Sequence, residues 1–185
     1  MTQPTLLLMT GSLRGRSFNR KPVIAAARLF YGTPVMADLD LPLYNGDVED
    51  RDGIPHKVRD LRDRIAAADA VAISTPKNNR SLSGVLKNAL DWVSRAGDNP
   101  WADKPVALMA AAGGQAGGAR AQYALRLALD PFQPRLLTGP EVMVARPEAE
   151  YDAEDQLTGE AYRKALATLM ARQKAETTRQ DRAAA

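Results

Sequence analysis

Short apolar runs alternate along this chain with longer stretches in which apolar residues recur every third or fourth position. Thr5–Thr10, Ala70–Thr75 and Pro105–Ala112 are apolar almost throughout. That is the pattern of strands covered on both faces. Pro34–Ala37, Leu136–Leu137 and Val142–Val144 are shorter strand pieces. Between them, Asn19–Tyr31 carries Val23, Ala26, Ala27 and Phe30 at helical spacing. Pro55–Ala68 does the same with Val58, Leu61 and Ile65, and has proline at its start. Leu82–Arg95, Ala119–Leu129 and Thr158–Lys174 read as further helices, and Asp38–Gly53 as a polar loop. Strands alternating with helices in this way predict an α/β fold, a doubly wound parallel sheet with helices on both faces. Residues 1–175 read as one domain, and 176–185 as a polar, alanine-rich tail expected to fray.

Ligands in such sheets bind beyond the carboxyl ends of the strands, where the strand order switches. Three loops lead away from that edge: 10–19, 75–81 and 112–118. The first reads Thr10-Gly11-Ser12-Leu13-Arg14-Gly15-Arg16-Ser17-Phe18-Asn19-Arg20. A strand, a polar glycine loop and a helix N-terminus make an anion site, because backbone N–H groups converge there and the helix dipole favours negative charge. The arginines add full charge, so the loop is expected to hold a phosphate. It lacks the Gly-Lys-Ser/Thr of a Walker A loop and the G-x-G-x-x-G of a dinucleotide fingerprint. A polar turn with Ser17 as helix cap accounts for Ser17, but not for Arg14 and Arg16 beside two glycines.

The second loop, Thr75-Pro76-Lys77-Asn78-Asn79-Arg80-Ser81, has a proline that bars regular strand continuation. The third carries Gly113, Gly114, Gly117 and Gly118 after a buried strand, where backbone can approach a flat ligand closely. The helix over 82–95 is apolar on more than one face. It must bury both, in the core or against a second subunit.

Cysteine is absent and histidine occurs once, at His56. This removes disulfides, thiolate nucleophiles and histidine-rich metal sites. No G-x-S-x-G elbow stands ready for His56, which reads as a surface residue near a helix start. The net charge is +3, with arginines interspersed among acids, which is no nucleic-acid footprint. Neither a signal peptide nor a membrane span is expected, and the expected location is cytoplasmic.

At this point the motifs resemble a known family. Gly11-Ser12-Leu13-Arg14…Ser17-Phe18-Asn19-Arg20 is similar to the phosphate loop of the NAD(P)H-dependent FMN reductases. Leu41-Pro42-Leu43-Tyr44-Asn45, the block Asn79-Arg80-Ser81…Gly84-Val85-Leu86-Lys87-Asn88-Ala89-Leu90-Asp91-Trp92, and Gly117-Gly118-Ala119-Arg120-Ala121-Gln122 follow in the family's order. The chain looks most like the branch of quinone, chromate and ferric-complex reductases. The resemblance implies a flavodoxin-like, five-stranded sheet and non-covalently bound FMN. It also implies a homodimer or homotetramer, with NADPH or NADH as co-substrate. Hydride would pass from nicotinamide to flavin N5, and electrons then to quinones, chromate, azo dyes or ferric complexes. By the same resemblance Ser12, Arg14, Ser17 and Asn19 hold the FMN phosphate, and Phe18 adds a backbone N–H. Pro76, Lys77, Asn78 and Asn79, with Gly113, Gly114 and Gly117, line the isoalloxazine. Tyr44 and Asn45 lie near the subunit interface beside the flavin.

The chain departs from the pattern in places. Lys77 and Asn78 stand where the family usually has glutamate and tyrosine, Ala112 where serine is frequent, and Ala116 where a bulky residue is frequent. If the Lys77 backbone is what touches flavin, the cofactor is unaffected; if its side chain lies over the ring, its charge stabilises the reduced anion. Arg80 and Arg95 are candidates for anchoring nucleotide phosphates or anionic acceptors, or for salt bridges. Two other readings stay open. A flavodoxin-type electron carrier is disfavoured by the basic charge and by aromatics making up 5% of the chain. A flavin-free nucleotide-binding or sensor module is kept open by Lys77, Asn78 and Ala112.

Overall fold

The computed structural model describes residues 3–184. The strands are β1 (Thr5–Thr10), β2 (Thr33–Met36), β3 (Ala70–Thr75), β4 (Pro105–Ala112), β5 (Arg135–Leu136) and β6 (Val142–Ala145). The helices are α1 (Arg20–Phe30), α2 (Gly46–Asp52), α3 (His56–Ala67), α4 (Gly84–Val93), α5 (Ala119–Leu129) and α6 (Glu160–Ala184). The sheet is parallel in the order β2-β1-β3-β4-β5, and β6 also pairs with β4. Val106 faces Leu136 and Met109 faces Val142, so β5 and β6 are two pieces of one strand position. The sheet therefore has the five expected positions, with the fifth interrupted.

Side chains alternate across the sheet with the two-residue period of strands. Leu6 and Leu8 of β1 join Val23, Ala26 and Phe30 of α1 and Leu166, Leu169 and Met170 of α6. Leu7 and Met9 point the other way, toward Leu61 and Ile65 of α3, Leu86 and Leu90 of α4 and Leu125 of α5. At the edge, Pro34 sits in β2, where a missing N–H costs the ladder little.

Two departures from expectation have physical causes. Helix α2 lies inside the segment read as a polar loop. None of its residues is buried, so it carries no hydrophobic period. Its signal is local instead: Asn45 Oδ1 accepts the Asp47 N–H at 3.0 Å, and Asp47 and Glu49 sit in the first turn. The last helix does not end at Lys174 but continues to Ala184, through an alanine-rich stretch of good helix formers. Thr177, beyond the expected end, is buried. Ala185, the end of the segment expected to fray, lies outside the described residues.

Helix α6 is fastened to the sheet by Gln173. Its buried amide donates to Val71 O at 2.7 Å and to Pro105 O at 3.2 Å, bridging β3 and β4. Replacing it with an apolar residue removes both of these donations. Gln173→Leu is expected to lower stability by about 1–2 kcal/mol, read as a lower urea midpoint with an unchanged slope.

Candidate functional site

The strand order reverses between β1 and β3: the chain leaves β1 toward β2, then returns to the other side of β1. Beyond these strand ends lies a cavity of about 670 Å³. Loop 11–19, residues 76–78 and residues 111–114 form most of its wall. The structure thus brings together Ser12, Arg14, Ser17, Phe18, Asn19, Pro76, Lys77, Asn78, Gly113 and Gly114.

The first loop is held open by glycine. Gly11 donates its N–H to Ser74 O at 2.9 Å, and a β-carbon there would stand 2.6 Å from both Leu86 Cδ1 and Ser83 Oγ. Any side chain would push the loop off the start of α4. Within the loop, Ser12 Oγ accepts the Arg14 N–H at 3.3 Å and Ser17 Oγ accepts the Asn19 N–H at 3.2 Å. Each hydroxyl is an acceptor from its own backbone, so its proton is free to be donated outward. Among the described residues, no acceptor in the chain takes the N–H groups of Ser12, Leu13, Gly15, Arg16 or Phe18. Helix α1 begins immediately after, with no acidic residue in its first turn to offset the positive dipole end. Arg14 and Arg16 line the same wall. The loop is thus a set of donors and positive charge without a matching anion.

Asn19 plays a different part from the one expected. It is buried, and its Oδ1 accepts from Ala111 N and Ser74 Oγ, both at 2.9 Å. Its Nδ2 donates to Ala111 O at 2.9 Å. The amide therefore ties the loop to β3 and β4.

Two expected flavin-lining residues, Asn79 and Gly117, stand off the cavity wall, as does Arg80. Asn79 and Arg80 have φ of 49° and 69° and form the tip of a tight turn. Asn78 and Ser81 close it with mutual backbone hydrogen bonds of 3.1 and 2.9 Å. Gly117 is buried, with φ of 53°, and a β-carbon on it would come within 2.1 Å of Met143 O. The backbone of β6 by itself requires glycine there. Conversely Leu13, Val85, Ala111, Pro147 and Glu148 also line the cavity. Pro147 and Glu148 follow a strand piece of weak pattern, and no motif marked them.

Arg95 resolves toward a salt bridge. Its Nε lies 3.1 Å from both Glu49 carboxylate oxygens, and the Tyr44 hydroxyl donates to Glu49 Oε2 at 3.0 Å. Tyr44 meets Trp92 edge-on at 5.0 Å, while Trp92 Nε1 and Asn88 Nδ2 both donate to Pro42 O. Tyr44 and Asn45 therefore serve the loop over α4 and α2, and neither lines the cavity. Helix α4 buries Leu86, Ala89, Leu90, Trp92 and Val93 within this one chain, so its apolar faces do not by themselves demand a second subunit.

A doubly wound sheet with an anion cradle at its switch point defines a nucleotide-binding α/β protein. The family model described as NADPH-dependent FMN reductase matches residues 4–149. An NAD(P)H-dependent FMN reductase of Pseudomonas aeruginosa is 40% identical over 164 residues, covering 87% of this chain and 88% of that one. A quinone reductase of Escherichia coli K12 is 42% identical over 144 residues, covering 75% and 76%. Among solved structures, the flavoenzyme NAD(P)H:(acceptor) oxidoreductase FerB of Paracoccus denitrificans superposes with a TM-score of 0.85 at 33% identity, covering 95% and 98%. The chain belongs to the NADPH-dependent FMN reductase family. It is an oxidoreductase of flavodoxin-like fold, in a family that uses FMN with NAD(P)H as electron donor.

Two outcomes follow from this geometry. An arginine at φ of 69° carries the strain of the left-handed region. Arg80→Gly is expected to stabilise the protein by about 1 kcal/mol, read as a raised denaturation midpoint. The second concerns Glu49, whose carboxyl the Arg95 guanidinium holds below its ordinary range, against a smaller opposing effect of desolvation. A depressed folded value stabilises above the unfolded value, and the contribution disappears as pH falls through the folded one. Trp92 fluorescence is expected to change over that acid range in the native protein and to lose the change in Glu49→Gln.

Proposed function

We propose that the cavity binds FMN without a covalent bond, with its phosphate in loop 11–19 and its ring between residues 76–78 and 111–114. The single observation that carries this is the loop's unmatched donor set. Unpaired N–H groups, two outward hydroxyls and two guanidinium groups suit a phosphate dianion. The cavity volume also suits a ligand of this size: sites for such molecules run to about 300–1,000 Å³.

When bound, the flavin supplies two-electron transfer between a nicotinamide donor and an acceptor. The chain's own residues orient and enclose. Ser12, Ser17, Arg14 and Arg16 fix the phosphate end, and Phe18 offers its backbone N–H. Asn19 acts as a positioning residue, holding that loop against β3 and β4. Gly113 presents bare backbone, with nothing within 4 Å of where a β-carbon would stand. No acid–base pair is required of the protein. Quinones are the acceptors we favour, with chromate, azo dyes and ferric complexes as others, and either NADH or NADPH as donor. A cytoplasmic setting, where reduced nicotinamide is available, fits this reading. Self-association through the 41–45 loop is supported by Leu43, which is 84% exposed beside the Tyr44–Trp92 contact.

Visible absorption after FMN addition and desalting tests the reading. Retained flavin bands that bleach on anaerobic addition of NAD(P)H are expected, and a colourless protein would overturn it. The phosphate assignment has its own check. Arg14→Ala is expected to weaken FMN binding about tenfold or more while leaving riboflavin, which lacks the phosphate, nearly unaffected.

A further inference from the structure

Lys77 has a use that its backbone does not exhaust. Its ammonium reaches across the cavity from the second loop toward the third, 3.8 Å from where a β-carbon on Gly114 would stand. Among the described residues no carboxylate lies within ion-pair distance of it, Glu148 on the same wall included. The cavity's other lining cations, Arg14 and Arg16, belong to loop 11–19, where a phosphate dianion would match them. The charge at the other end stays unmatched.

We propose that Lys77 selects planar acceptors that carry an ionised oxygen, above all quinones with an acidic hydroxyl or carboxyl group. This rests on the flavin-reductase reading given above. Gly113 and Gly114 opposite leave room for the flavin ring, so the ammonium stands at the rim of the ring slot, where an acceptor stacked on that ring would present its charged substituent. Lys77 is exposed, so the pairing is made in a high dielectric and its effect is modest. The chemistry balances: a quinone takes two electrons and two protons to become the hydroquinone. NAD(P)H supplies both electrons and one proton as hydride, and solvent supplies the second proton. The acceptor's anionic substituent is unchanged by the step. Reduced nicotinamide has an uncharged ring and gains nothing from the ammonium. The oxidised ring is cationic and is repelled, so the same charge favours exchange of spent donor for anionic acceptor.

The test uses the FMN-loaded protein and its Lys77→Gln, Lys77→Glu and Lys77→Arg variants. The first readout is the ratio of kcat/KM for an ionised hydroxyquinone to that for the methyl ether of the same quinone. That ratio is expected to fall about fivefold in Lys77→Gln and about 25-fold in Lys77→Glu, and to persist in Lys77→Arg. The second readout needs no turnover. Benzoate is expected to perturb the bound flavin spectrum at lower concentration than benzamide, with the difference gone in Lys77→Gln. Equal ratios in all four proteins, with FMN retained, overturn the inference alone. So does a change confined to the KM for NAD(P)H, which would assign the ammonium to the donor. Failure to hold FMN overturns the underlying functional reading instead.

Discussion

The amide of Asn19 is the contact on which the site depends. It sits where the first loop turns into α1 and makes three hydrogen bonds of 2.9 Å to Ser74 and Ala111. These belong to β3 and β4, the same strands whose ends launch the other two loops of the cavity. A single buried side chain thus sets the spacing between the 11–19 loop and the other two walls of the cavity. Buried amides are effective in this role because any arrangement that breaks them strands polar atoms out of reach of water. Gly11 supports the same arrangement from the other side. It lets the loop lie against Ser83 and Leu86 at the start of α4.

Much of this was legible in the sequence. Strands covered on both faces leave runs such as Val71, Ala72 and Ile73, which are buried without exception. Helices on a sheet show their inner stripe, as Val58, Leu61 and Ile65 do on α3. The loop from Gly11 to Asn19 stood out through residue types that have little other reason to stand together, and it lines the cavity. The fifth strand position was harder, because Arg135–Leu136 and Val142–Ala145 are each too short to show a period and are joined only by pairing with β4.

Residue roles were less legible than residue positions. Asn19, Asn79 and Gly117 all belong to motifs at the right edge of the sheet, yet each is shaped by a neighbouring part of the protein. Asn19 answers to the strands, Asn79 to a tight turn and Gly117 to the backbone of β6. A motif records that a residue type is required; the source of the requirement appears only with the third dimension. Glu148 shows the reverse case, a cavity-lining residue whose place is set by where β6 ends.

Among the described residues, α2 differs from the other α-helices in having no residue in the core. It is held by the Asn45 cap and by the Glu49 contacts to Arg95 and Tyr44, all on the surface. Apart from Glu49, packing restricts its side chains little, so substitutions at its other positions meet little selection for folding. The protein therefore carries, joined directly to the Leu41–Asn45 loop, a segment largely free to diversify while the sheet and the cavity at its edge stay fixed. New surface specificities could be acquired there at small thermodynamic risk to the catalytic frame.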